Sequence, residues 1–72
     1  AGMYIVQAGF FEKGNNAAAF FAELHKKDVE CSIVPTDGGF RVQCGAFAKR
    51  ENAQALVQQL AAKGVQTVLK EV

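Results

Sequence analysis

Seventy-two residues, half of them apolar and 21% charged, make one small folded domain and exclude a disordered chain. Eight Lys and Arg against seven Asp and Glu leave a net charge of +1, which offers no electrostatic case for nucleic acid or an anionic membrane. The longest apolar run, residues 17–22, is far below the roughly 20 residues of a membrane helix, and no basic start leads into an apolar signal segment.

The opening Ala1-Gly2-Met3 is expected to mark a cut from a larger protein. Residues 4–8 alternate side chains with the period of a strand. Ala17, Phe20, Phe21 and Leu24 then fall at the i, i+3, i+4, i+7 spacing of a helix with one apolar stripe. Asn15 or Asn16 is expected to cap its start, and Lys26 and Lys27 suit its negative end. A second strand is expected over 29–34. Thr36-Asp37-Gly38-Gly39 follows, a hairpin signal in which Gly38 tolerates positive φ. A third strand over 40–44 leads to a second helix, with Ala53, Leu56, Val57 and Leu60 in its stripe and Gly64 as a left-handed end. Lys63 suits its last turn, and a fourth strand is expected over 65–69.

The second half repeats the first. Displaced by 36 positions, residues 4–36 lie over 40–72 without a gap, and eleven of the thirty-three pairs are identical, among them Val6/Val42, Gln7/Gln43, Gly9/Gly45 and Phe11/Phe47. Residues 1–72 are therefore read as one domain of two pseudo-twofold halves. The order βαββαβ with right-handed crossovers implies an α+β, ferredoxin-like fold: a four-stranded antiparallel sheet in order 4-1-3-2, both helices on one face. Pro35 agrees with an edge position for the second strand.

Strand parity then divides the side chains. Val6, Ala8, Val42, Cys44, Val29, Cys31, Ile33, Val65, Thr67 and Leu69 should face the helices. Ile5, Gln7, Arg41, Gln43, Glu30, Ser32, Val34, Gln66, Val68 and Lys70 should face away, on a side that this chain leaves bare and aromatic-free. With a two-residue Asp37-Gly38 turn, Cys31 falls opposite Cys44 as a non-hydrogen-bonded pair. A disulfide there is sterically open, as are two small free thiols.

Val-Gln-x-Gly-x-Phe, present twice and each time followed by an Asn-Ala helix start, resembles the SPOR (sporulation-related) domain over essentially the whole chain, from Tyr4 to Val72. The resemblance implies a peptidoglycan-binding module of bacteria or their phages. Such modules recognise glycan strands stripped of stem peptides and direct an attached division protein or wall hydrolase, such as an N-acetylmuramoyl-L-alanine amidase, to septal or spore wall. It also implies that the open sheet face and adjoining loops hold the ligand, with Gln7 and Gln43 as motif glutamines, Gly9 and Gly45 as motif glycines, and Phe11 and Phe47 as motif phenylalanines. Phe10 departs from the small residue usual at its place.

The residues themselves are compatible with that implication. Amide side chains donate and accept at once, which suits neutral acetamido and hydroxyl groups. Arg41 and Ser32 border the glutamines, and Phe10, expected in the loop after the first strand, is the candidate to stack on a sugar. Bulky stem peptides colliding with the sheet would add discrimination by exclusion. The plainer readings stand beside these: solvated strand glutamines, glycines serving the turn from strand to loop, phenylalanines as core anchors, and His25 as a helix-end side chain.

Three other classes of function compete with this one. RNA recognition on this architecture needs aromatics on the central strands, where this chain has Ile5, Gln7, Arg41 and Gln43. A protein-docking domain using Ile5, Val34 and Val68 remains open. One histidine and one serine compose no nucleophile–base or metal-ligand set, so no catalysis, cofactor or metal is expected. A monomer is expected, with peptidoglycan glycan strands as partner and neither nucleic acid nor membrane insertion.

Overall fold

The computed structural model describes residues 2–72; Ala1, part of the expected boundary, lies outside them. Six elements follow in order: β1 Tyr4–Phe11, α1 Gly14–Lys26, β2 Ser32–Thr36, β3 Gly39–Phe47, α2 Arg50–Ala62 and β4 Val68–Glu71. All pairings are antiparallel and the spatial order is β2-β3-β1-β4, which is the expected 4-1-3-2 sheet read from its other edge. Helix α1 lies across β1, β2 and β3, and α2 across β1, β3 and β4. Val6 and Val42, fully buried at the sheet centre, share one cluster with Ala17 and Leu24 of α1 and Ala53 and Leu60 of α2. Each apolar stripe thus meets the same sheet face, and burying a valine of this kind contributes about 1.5–3 kcal/mol.

The helix starts differ from expectation. Both helices begin one residue after a lysine in extended conformation, Lys13 and Lys49, and neither N-cap side chain makes a capping hydrogen bond. Asn15 and Asn16 lie inside the first turn, too late to cap it. The ends are stronger. After α1, the Val29 N–H donates to the Leu24 carbonyl at 3.0 Å and the Asp28 N–H to the His25 carbonyl at 3.1 Å. After α2, Val65 and Gly64 repeat this with Leu60 and Ala61 at 2.8 and 3.0 Å. These are paired Schellman closures, with Asp28 (φ 60) and Gly64 (φ 81) in the left-handed position and Val29 and Val65 making the accompanying apolar contact in the core.

That use of the two valines explains a second difference. Residues 29–31 and 65–67 read as strand, but β2 begins at Ser32 and β4 at Val68. The apolar side chains there serve the helix ends and not a ladder. Lys63 Nζ donates to the Asp28 carbonyl at 3.0 Å, tying the two helix exits together.

The central strands run longer than their alternating cores, to Phe11 and Phe47, because each contains a bulge. Pairing proceeds as Tyr4/Phe47, Ile5/Ala46, Val6/Gly45, then Gln7/Gln43, then Gly9/Val42, Phe10/Arg41 and Phe11/Phe40. Ala8 and Cys44 are skipped, so each shares the helix-facing side with the glycine that follows. A Cβ on Gly9 would lie 3.0 Å from the Phe11 ring and 3.3 Å from Phe20; on Gly45, 2.9 Å from Phe47 and 3.1 Å from Leu56. The glycines therefore sit inside the sheet, not at a strand-to-loop turn, where a methyl group would press on a phenylalanine ring and make it shift.

Two outcomes follow for stability, each read by urea unfolding. Gly64→Ala is expected to cost about 1–2 kcal/mol through left-handed strain, while Asp28→Gly is neutral or stabilising. Gly45→Ala is expected to cost about 1–3 kcal/mol by overpacking against Phe47 and Leu56, and more than Gly9→Ala.

Candidate functional site

The pairing register arranges the sheet face opposite the helices into three rows. The central row crosses all four strands as Ser32, Gln43, Gln7 and Val68. At a strand spacing of about 4.8 Å it spans roughly 14 Å. One neighbouring row is Val34, Arg41 and Phe10; the other is Ala46, Ile5 and Lys70. Adding 36 and exchanging strands turns Ile5/Ala46 into Arg41/Phe10, while Gln7/Gln43 maps onto itself. The pseudo-twofold axis therefore passes between the two glutamines. All five side chains expected to contact ligand, Gln7, Gln43, Arg41, Ser32 and Phe10, lie in two adjacent rows.

Phe10 is the largest departure from the sequence reading. It is neither in a loop nor beside an aromatic-free face: it belongs to β1, directly across from Arg41, and the edge of its ring lies beside Gly39. A Cβ on Gly39 would come 2.8 Å from Phe10 Cζ. Simple alternation would send Phe10 inward with Val6. The bulge at Ala8–Gly9 shifts the phase by one residue, so Phe10 emerges 47% exposed and Phe11 turns in to pack on Phe20, ring centroids 5.3 Å apart. The available signal was two small residues in succession, Ala8-Gly9 and Cys44-Gly45, at one place in both halves.

The face is not uniformly bare either. Ile5 is only 8% exposed and yet stands outside the helix-facing cluster, between its cross-strand neighbours Ala46 and Lys70. Val68, at 58%, is the most open apolar side chain of the rows. Gln7 is half-buried, and its Oε1 is fully buried without a hydrogen-bond partner. An acceptor left in that condition costs about 1–3 kcal/mol, which an N–H or O–H donor would recover once the Gln7 side chain turned out to meet it. Gln43 beside it presents a second amide, so the pair can both donate and accept.

Cys31 and Cys44 flank the Ser32/Gln43 pair that begins the β2–β3 ladder, and both are free thiols. With Glu30, Ser32, Gln43 and Gly45 they line a cleft of about 180 Å³ at this edge. Burial first, and the neighbouring Cys31 second, push the Cys44 thiol up to about 11; burial raises Cys31 as well. Cys44 is therefore a neutral thiol at physiological pH and a poor nucleophile. Its alkylation by iodoacetamide, followed by peptide mass mapping that separates it from Cys31, is expected to be slow at pH 8, to rise about tenfold with each pH unit and to level off near pH 11.

Among the described residues no group of three or more His, Cys, Asp or Glu side chains could hold a metal ion. Among them, too, no helix is long and apolar enough to cross a membrane. His25 is exposed on the last turn of α1, away from the rows.

Comparison with known proteins points one way. A family profile described as SPOR domain matches residues 36–71. Among solved structures, the chain is similar to the solution structure of the peptidoglycan binding domain of the B. subtilis cell wall lytic enzyme CwlC. The two share 28% identity and superpose with a TM-score of 0.80, covering 97% of this chain and 89% of that one. No curated protein matches.

Proposed function

Since the chain belongs to the SPOR domain family, we propose that it is a peptidoglycan-binding module whose ligand is the glycan strand, bound across the open sheet face. The domain is a binding module without catalysis of its own. The observation that carries the reading is the amide pair on the pseudo-twofold axis, Gln7 beside Gln43, with one buried acceptor unmatched by any protein donor. Acetamido N–H and sugar hydroxyl groups are neutral donors of the kind such an acceptor takes. Ser32 and Arg41 extend the hydrogen-bonding surface along and beside the same row, and Phe10 supplies an apolar plane for a pyranose ring.

Glycan stripped of stem peptides is the favoured form. Intact strands carry bulky branches on alternate sugars, and these would collide with the strands of the sheet face. Discrimination then arises from exclusion as much as attraction. In this reading the domain acts at the bacterial wall, outside the cytoplasm, as a monomeric targeting unit for an attached wall enzyme or division protein. The septum, the spore wall and a phage-borne lysin are the settings it would fit. Protein docking on Val34, Val68 and Phe10 is the rival reading, and one experiment separates the two.

The domain is expected to sediment with amidase-stripped sacculi and far less with untreated ones. Equal retention by both would remove the preference for stripped strands, and retention by neither would leave only the docking reading. Replacing Gln7 and Gln43 together by Ala should weaken retention about tenfold or more, at two lost hydrogen bonds, with an unchanged far-ultraviolet circular dichroism spectrum. Undiminished binding by that variant would clear the central row of the role.

A further inference from the structure

The strands of the open face and its central amide pair are nearly twofold symmetric, but a polysaccharide strand is directional, with distinct reducing and non-reducing ends. A face with true symmetry would hold such a strand equally well in either direction. We propose that this face accepts one direction only, and that Phe10 sets it. The inference rests on the glycan-binding reading above and adds a polarity to it.

The argument comes from where the symmetry fails. In the central row the exchange swaps Gln7 with Gln43, so the two amides cannot distinguish the ends. In the outer rows the exchange carries Phe10 onto Ala46, Arg41 onto Ile5 and Val34 onto Lys70, and at the ends of the central row Ser32 onto Val68; of these, only the Phe10/Ala46 exchange adds or removes an aromatic ring. One end of the face thus presents an aromatic ring with a guanidinium directly across from it, and the other a methyl group beside a nearly buried aliphatic chain.

The ring is also placed in advance. The far edge of the Phe10 ring lies beside Gly39, close enough that a Cβ there would stand 2.8 Å from Phe10 Cζ, and the side chain is still 47% exposed. Little side-chain freedom remains to be lost when a sugar stacks on it, so its contribution is realised at one end of the site alone. β4 pairs with β1 only from Tyr4 to Gln7, so no strand flanks Phe10 on that side and the approach to the ring is open. A strand bound in the reverse direction would offer a different ring and substituent pattern to the same platform, and the Ala46 end has nothing equivalent to compensate.

The test uses a peptide-free tetrasaccharide of the alternating wall amino sugars, with a nitroxide at its reducing end, and the ¹⁵N-labelled domain. Paramagnetic broadening in the wild type should concentrate at one end of the face, the Val34–Arg41 end or the Ala46–Lys70 end. Phe10→Ala should weaken binding about three- to tenfold, as loss of one stacking contact implies, and spread the broadening to both ends. The double exchange Phe10→Ala with Ala46→Phe, two exposed positions whose replacement should leave the amide spectrum folded, should move the broadening to the opposite end. Broadening shared by both ends in the wild type, or an exchange variant that keeps the wild-type end, overturns the polarity proposal while leaving glycan binding intact. If the wild type shows no saccharide-induced shift at all, both proposals fall.

Discussion

The Cβ atoms that Gly9 and Gly45 lack would stand 3.0 and 2.9 Å from the rings of Phe11 and Phe47, with Phe20 and Leu56 close behind. That crowding holds the central pair of strands in its particular shape. Each strand doubles two successive small residues onto the helix-facing side, and the phenylalanine two places on fills the space left by the missing methyl group. The bulge and the ring depend on each other: without the bulge Phe11 would point outward, and without glycine the ring would have to shift. Because the bulges face each other across the pseudo-twofold axis, Gln7 and Gln43 are brought into register between them.

The two sides of the sheet consequently carry different burdens. Toward the helices, Val6, Val42 and the paired stripes supply apolar burial, and the Schellman closures spend Val29 and Val65 on fastening the helix exits to that core. Stability is concentrated there. The other side is released from that demand and can afford an unpartnered amide oxygen at its centre, a local cost of the kind that binding sites carry. A ligand donor meeting that oxygen would be compensated by relief of the cost as well as by the new hydrogen bond.

Duplication explains both the site and its limits. Two halves with the same glutamine build a contiguous amide pair that neither half has alone. The same duplication makes the strand layout and the amide pair equivalent end to end, and residues outside the shared motif, Phe10, Arg41, Val34 and Ser32 against Ala46, Ile5, Lys70 and Val68, break the equivalence. The recurring positions thus account for architecture and central chemistry, and the differing ones for what is particular to this chain.

Element order, sheet topology, both helix stripes, the β2–β3 register and the row of glutamines were legible from periodicity and repetition, because each arises from side-chain spacing along one segment or from one short turn. Positions that depend on how segments meet were not. Phe10 has the parity of an inward residue and lies outward because a bulge, created by ring packing between a strand and a helix, moves the phase. Val29 and Val65 have the composition of strand and serve helix ends, because a ladder needs a partner at the right place and the core claimed them first. Ile5 belongs to the open face by parity yet is closed in by neighbours from two other strands. Local pattern carries whatever a chain segment settles alone; contacts between distant segments settle the rest, and the direction-setting end of this site belongs to the second kind.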